Sequence, residues 1–112
     1  MQNDELKQKA NIFIDYVNKY FNNNRVNNFG LKEKDEEEDT YIITFKAYDF
    51  FYVYCDFKCD SIICRIGSGN RYITLLNTKE LNTTDYYEII KKLEKEIELR
   101  IPDKFLIENG WK

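Results

Sequence analysis

The chain contains no histidine. That absence removes the side chain most often used as a general base, the usual partner of a serine or cysteine nucleophile, and the commonest metal ligand. Carboxylates and tyrosines remain for acid–base work, but no constellation of residues spells out a reaction. The expectation is therefore a protein that is not an enzyme and uses no cofactor or metal. Basic clusters are missing as well. No Lys/Arg run exceeds two residues, and 17 basic against 20 acidic side chains leave a net charge of −3. A nucleic-acid binder needs a positive field against phosphate, so these totals argue against such a partner. No apolar run reaches the length of a bilayer span, and the opening MQNDELKQKA has no apolar stretch of the secretory kind. The three cysteines, Cys55, Cys59 and Cys64, are an odd number and a poor disulfide framework. Together these absences predict a cytoplasmic protein with reduced thiols and no membrane partner. Alanine occurs only at positions 10 and 47 while Asn, Ile, Tyr, Lys and Phe abound, a usage typical of an A/T-rich gene.

What is present is material for one core. The 112 residues are 43% apolar and 16% aromatic, which suits a single domain spanning residues 1–112. The organising stretch is Tyr41–Phe57, YIITFKAYDFFYVYCDF, a nearly unbroken run of β-branched and aromatic residues around a turn-like Tyr48-Asp49. It reads as two neighbouring strands, near 40–48 and 50–57, of an antiparallel hairpin at the centre of a sheet.

Residues 4–21 carry Leu6, Ala10, Phe13, Ile14, Val17 and Phe21 at three- and four-residue steps, the stripe of an amphipathic helix capped by Asn3 or Asp4. Asparagines after Phe21 close it. Val26–Lys34 reads as a first strand weakened by Gly30. Glu33–Asp39, EKDEEED, has six acidic residues in seven and is expected as a solvated hairpin loop. Further strands follow at Ser61–Ile66 and Arg71–Asn77, with turns at Lys58–Asp60 and Gly67–Asn70. Asn82-Thr83-Thr84 caps a helix whose stripe is Tyr86, Ile89, Ile90, Leu93, Ile97 and Ile101, and Pro102 opens a short terminal helix that Gly110 stops. Consecutive strands on short links imply a meander. The expected architecture is α+β: a two-layer sandwich in which an antiparallel sheet of four to five strands is flanked by an N-terminal helix and by a C-terminal helix plus the short terminal one.

Strand alternation assigns two faces. Tyr41, Ile43, Phe45, Ala47, Phe51, Val53, Cys55, Phe57, Ile62, Cys64, Ile66, Ile73 and Leu75 form the expected inner set. The opposite face carries Tyr48, Tyr52, Tyr54 and Tyr72 beside Ile42, Lys46, Asp56, Ile63 and Arg65. Tyrosine offers large contact area at small entropic cost, so this face reads either as a docking surface or as a second core layer under another segment. A stacking platform for single-stranded nucleic acid is a third reading, opposed by the acidic balance. The C-x3-C-x4-C spacing lacks the fourth ligand and paired knuckles of a structural zinc site, and two of its thiols point into the expected core. Gly67-Ser68-Gly69 lacks the Lys-Ser/Thr of a phosphate loop and reads as a turn. The acidic run lacks the spacing of a calcium loop and is either a solvated turn or a prong facing a basic partner.

In size, α+β order, low alanine content and abundance of Asn, Tyr and Ile, with the acidic run and tyrosine-rich sheet, the whole chain resembles the small acidic immunity proteins encoded beside bacterial contact-dependent and other polymorphic toxins. The resemblance implies a cytoplasmic protein that neutralises a cognate toxin domain, often a basic nuclease, as a monomer in a one-to-one complex. The candidate partner-binding residues are Glu36, Glu37, Glu38 and Asp39 for attraction and orientation, and Tyr48, Tyr52, Tyr54 and Asp56 on the sheet, with Tyr52 and Tyr54 as anchors. Small anti-defence inhibitors of phages and mobile elements share this look. A small-molecule-binding α+β module is the alternative from another class, for which a deep apolar pocket lined by tyrosines and carboxylates would speak.

Overall fold

A computed structural model describes residues 2–21, 25–33, 40–58, 60–68, 71–79 and 85–112. The central hairpin forms as its alternation predicts. Strands β2 (Tyr41–Ala47) and β3 (Phe51–Phe57) pair antiparallel, with Ile43 opposite Cys55 and Phe45 opposite Val53. The turn between them is closed by the Phe50 N–H donating to the Ala47 carbonyl at 2.9 Å. Its central residues, Tyr48 and Asp49, both take positive φ (58° and 51°), the backbone handedness that matches a type I′ hairpin to the twist of its strands.

Strands β1 (Val26–Glu33), β4 (Ser61–Ser68) and β5 (Arg71–Lys79) complete a five-stranded antiparallel meander in the order β1-β2-β3-β4-β5. Gly30 does not stop β1. It sits opposite Thr44, where a Cβ would come within 2.7 Å of the threonine Oγ1, so the close approach needs glycine. The register of β1 shifts between Asn27 and Gly30, with Asn28 at φ 56°, and Phe29 packs on Phe45 at 5.5 Å between ring centres. Gly67 and Ser68, expected in a turn, extend β4. A second irregularity moves the pairing from Cys64–Leu76 to Arg65–Thr74. Leu75 is buried and Leu76 packs against the core beside it, whereas Ile73, expected as a core residue, is 45% exposed. Ile73 still pairs with buried Ile66 and so lies on the expected side, but edge strand β5 has a neighbour strand on one flank only and leaves it exposed. The extra residue instead brings Leu76 inward beside the expected Leu75.

Helix α1 (Gln2–Tyr20) begins ahead of the expected Asn3/Asp4 cap. Helix α2 (Tyr86–Glu98) has Asp85 at its N-cap position; the expected cap Asn82–Thr84 lies outside the described residues. The stripes of the two helices join the inner strand residues in one apolar cluster, so both lie on the same side of the sheet. Phe13, Phe57 and Tyr86 meet at its centre, with ring centres 5.2–6.1 Å apart, two of the three pairs in clearly edge-to-face array. Cys55 and Cys64 oppose each other across β3 and β4, both fully buried. Contact with Cys64, then burial, holds the Cys55 thiol well above its ordinary pKa, so it stays protonated and inert. Helix α3 (Asp103–Glu108) closes the β2–β3 end: Leu106 is buried, Phe105 packs on Phe50, and Trp111 packs on Tyr48. Among the described residues no helix is long and apolar enough to cross a membrane.

Candidate functional site

With the helices on one side of the sheet, no helix among the described residues covers the other side, and its membership follows from the pairing. Lys32 faces Ile42, which faces Asp56, which faces Ile63, which faces Asn77. One pleat further, Gly30, Thr44, Tyr54, Arg65 and Thr74 form the next row. Lys46 pairs with Tyr52, and Gly67 with Tyr72. Exposure separates these residues by role. Tyr52 is 44% and Tyr72 60% exposed, Tyr54 is half-buried, and Asp56 is 8% exposed.

The centre of the face is ordered by its own contacts. Tyr54 and Tyr72 meet edge to face with ring centres 5.7 Å apart. Gly67 lies beneath them; a Cβ there would come within 3.2 Å of the Tyr72 ring and 3.3 Å of the Tyr54 ring. The Arg65 guanidinium stands 5.8 Å from the centre of the Tyr72 ring and donates from Nη2 to Asp56 Oδ2 at 2.6 Å. Asp56 therefore aligns Arg65, and Arg65 in turn packs on Tyr72. A carboxylate this buried offers little surface for direct contact; what the structure shows it doing is aligning the arginine.

Tyr48 requires a correction. Expected on the open face, it is fully buried on the helix side. Positive φ swings its side chain out of strand alternation, and it packs edge to face on Phe21 and Trp111. Its hydroxyl donates to Glu98 and accepts from Arg25. Arg25 also donates to Glu94 Oε2 at 2.6 Å and to the Tyr20 carbonyl at 3.1 Å, and the Tyr20 hydroxyl donates to Glu94 Oε1 at 2.8 Å. Sequence reasoning missed this cluster. Its only trace is Glu94 and Glu98 spaced one turn apart beside the apolar stripe, with a single arginine after α1. Burial and then the bond to Glu98 raise the Tyr48 pKa, so its phenol stays protonated and serves neither as base nor as nucleophile.

Tyr20 behaves similarly. Burial, then the hydrogen bond to Glu94, lifts its pKa from 10.0 to about 12. The native state then holds a proton that the unfolded chain releases, so this contribution to stability is complete below pH 10 and is lost as pH rises toward 12. Stability measured by urea unfolding should therefore fall through that window, and Tyr20→Phe should make the fall shallower while leaving the neutral-pH fold intact.

The remaining candidates differ in standing. Glu36, Glu37, Glu38 and Asp39, like Cys59, lie outside the described residues. A hollow of about 380 Å³ is lined by Lys95, Glu98, Leu99, Ile101, Asp103 and Lys112. Its carboxylates are already engaged, Asp103 by Lys112 at 2.6 Å and Glu98 by Tyr48 and Arg25, and none of the open-face tyrosines lines it. Among the described residues no group of three or more Cys, Asp or Glu side chains could hold a metal ion. Comparison of the chain with protein-family models, with curated proteins and with solved structures finds no match.

Proposed function

We propose that this protein acts by binding, and that it is an immunity-type inhibitor which docks its open sheet face on a cognate toxin domain. The observation that carries the reading is the face itself: a sheet surface that no described helix covers, with two exposed tyrosines on a pre-ordered base. Rigid aromatic area of this kind is what a stable protein interface uses for its anchors. Tyr54 packs on Tyr72, and Arg65, bonded to Asp56, stacks on the same ring, so little side-chain freedom is lost when a partner arrives. The phage or mobile-element inhibitor reading uses the same face and differs only in the partner.

The test is genetic and direct. The chain is co-expressed with the toxic product of the adjacent reading frame, and growth and co-purification are scored. Rescue of growth together with a one-to-one complex is the expected result. Rescue that survives Tyr52→Ala with Tyr72→Ala would remove the sheet face from the interface, and absence of both rescue and complex would remove the immunity reading.

A further inference from the structure

The charge of the open face is opposite to that of the molecule. Of the charged strand residues on it, Lys32, Lys46, Arg65 and Lys79 are basic and only Asp56 is acidic. Among the described residues the strand positions of this face thus sum to +3, in a chain whose total is −3. The single carboxylate is buried and bonded to Arg65, so it adds no exposed negative group to that surface. Lys32 and Lys79 are exposed and Lys46 is half-exposed. They stand on β1, β5 and β2, so the positive groups are spread over a sheet roughly 19 Å wide at the usual strand spacing.

We infer that the partner surface docking on this face is a bounded, carboxylate-rich protein patch, which Lys32, Lys46, Arg65 and Lys79 meet around the contacts of Tyr52 and Tyr72. This rests on the docking role proposed above and names the chemistry of the partner at that site. It also reverses the polarity expected from the acidic run, since the sheet itself asks for an acidic counterpart. Two features favour a protein patch over a nucleic-acid strand. The cations are dispersed across four strands and do not line a track along which a phosphate backbone could run. A strand longer than the face would also meet the negative remainder of the molecule, and a patch confined to the face would not. The contact of Arg65 with Asp56 is a local example of the interaction, an arginine on a carboxylate at 2.6 Å beside an aromatic ring.

The test uses isotope-labelled full-length protein, titrated at low ionic strength with short oligoglutamate, oligolysine and oligothymidylate, and read by amide chemical shifts. Oligoglutamate is expected to shift Lys46, Tyr52, Arg65 and Tyr72 selectively. The double variant Lys46→Glu with Lys79→Glu should weaken that binding at least tenfold while leaving the thermal midpoint nearly unchanged, because both side chains lie at the surface. The inference is overturned if oligoglutamate leaves the face unshifted or acts equally on the variant. It is also overturned if oligothymidylate binds the face more tightly than oligoglutamate, which would make it a phosphate platform. Growth rescue by the chain combined with a silent oligoglutamate titration would keep the immunity role and discard only the assigned polarity of the partner.

Discussion

Tyr48→Ala is expected to cost about 3–5 kcal/mol of folding stability, the range for deleting a large buried aromatic side chain. Tyr52→Ala, four residues along the same hairpin, should cost within about 0.5 kcal/mol, as for most surface positions. The sequence treats these tyrosines as equivalent members of one face, and the structure puts them on opposite sides of the sheet. Tyr48 is fully buried among Phe21, Trp111, Arg25 and Glu98, while Tyr52 is 44% exposed. Removing the Tyr48 ring opens a cavity where the end of α1, the β2–β3 turn, α2 and the C-terminal segment converge. For a domain near this size each kcal/mol corresponds to about 4–8 °C, so the midpoint should fall by roughly 12–40 °C. Tyr48→Phe keeps the ring and loses only the hydroxyl, for a cost of about 1–2 kcal/mol. Urea and thermal unfolding of the three variants decide the matter. Equal costs for Tyr48→Ala and Tyr52→Ala would mean that the buried cluster is not the pin described here.

The second large effect falls on affinity. Under the docking role proposed above, Tyr52→Ala should weaken the partner complex by about 2 kcal/mol, roughly 30-fold in Kd, with little change in stability. Tyr72→Ala should have an effect of similar size and a small stability cost in addition, about 0.5–1.5 kcal/mol, because its ring packs on Tyr54 and under Arg65. Sequence reasoning placed Tyr72 on the open face but left it out of the contact set; its 60% exposure on edge strand β5 brings it in. The loss should be mainly in dissociation rate, since both residues contribute contact area and carry no charge. Binding kinetics of single and double variants check this. Unchanged dissociation in the double variant would exclude the sheet face as the anchor site. Tyr48→Ala also serves as a control, because any loss of binding it shows should track its loss of fold.

These two results bear on how far local pattern reaches. The hairpin Tyr41–Phe57, both helical stripes, the meander order and the burial of Cys55 and Cys64 were all visible from side-chain type and spacing. They depend on short-range rules: alternation in strands, three- and four-residue steps in helices, and turn residues between them. The errors sit where the backbone leaves those rules. Positive φ at Tyr48 turns its side chain to the core, and the irregularity at Cys64/Arg65 brings Leu76 inward beside the expected Leu75. Neither departure has a residue signature strong enough to announce it, since Tyr is an unusual choice for a left-handed turn position.

What the amino-acid order determined alone is the set of elements and the apolar side of each. Tertiary structure decided which tyrosines are available, because one glycine makes room for a pair of rings and one left-handed residue removes a third from the surface. It also decided which charged strand residues share the open face among those described. Total charge sums over the chain without regard to direction, whereas pairing of five strands brings Lys32, Lys46, Arg65 and Lys79 from positions up to 47 residues apart onto one side. A field is a property of where charges stand in space, and that placement exists only once the sheet has formed.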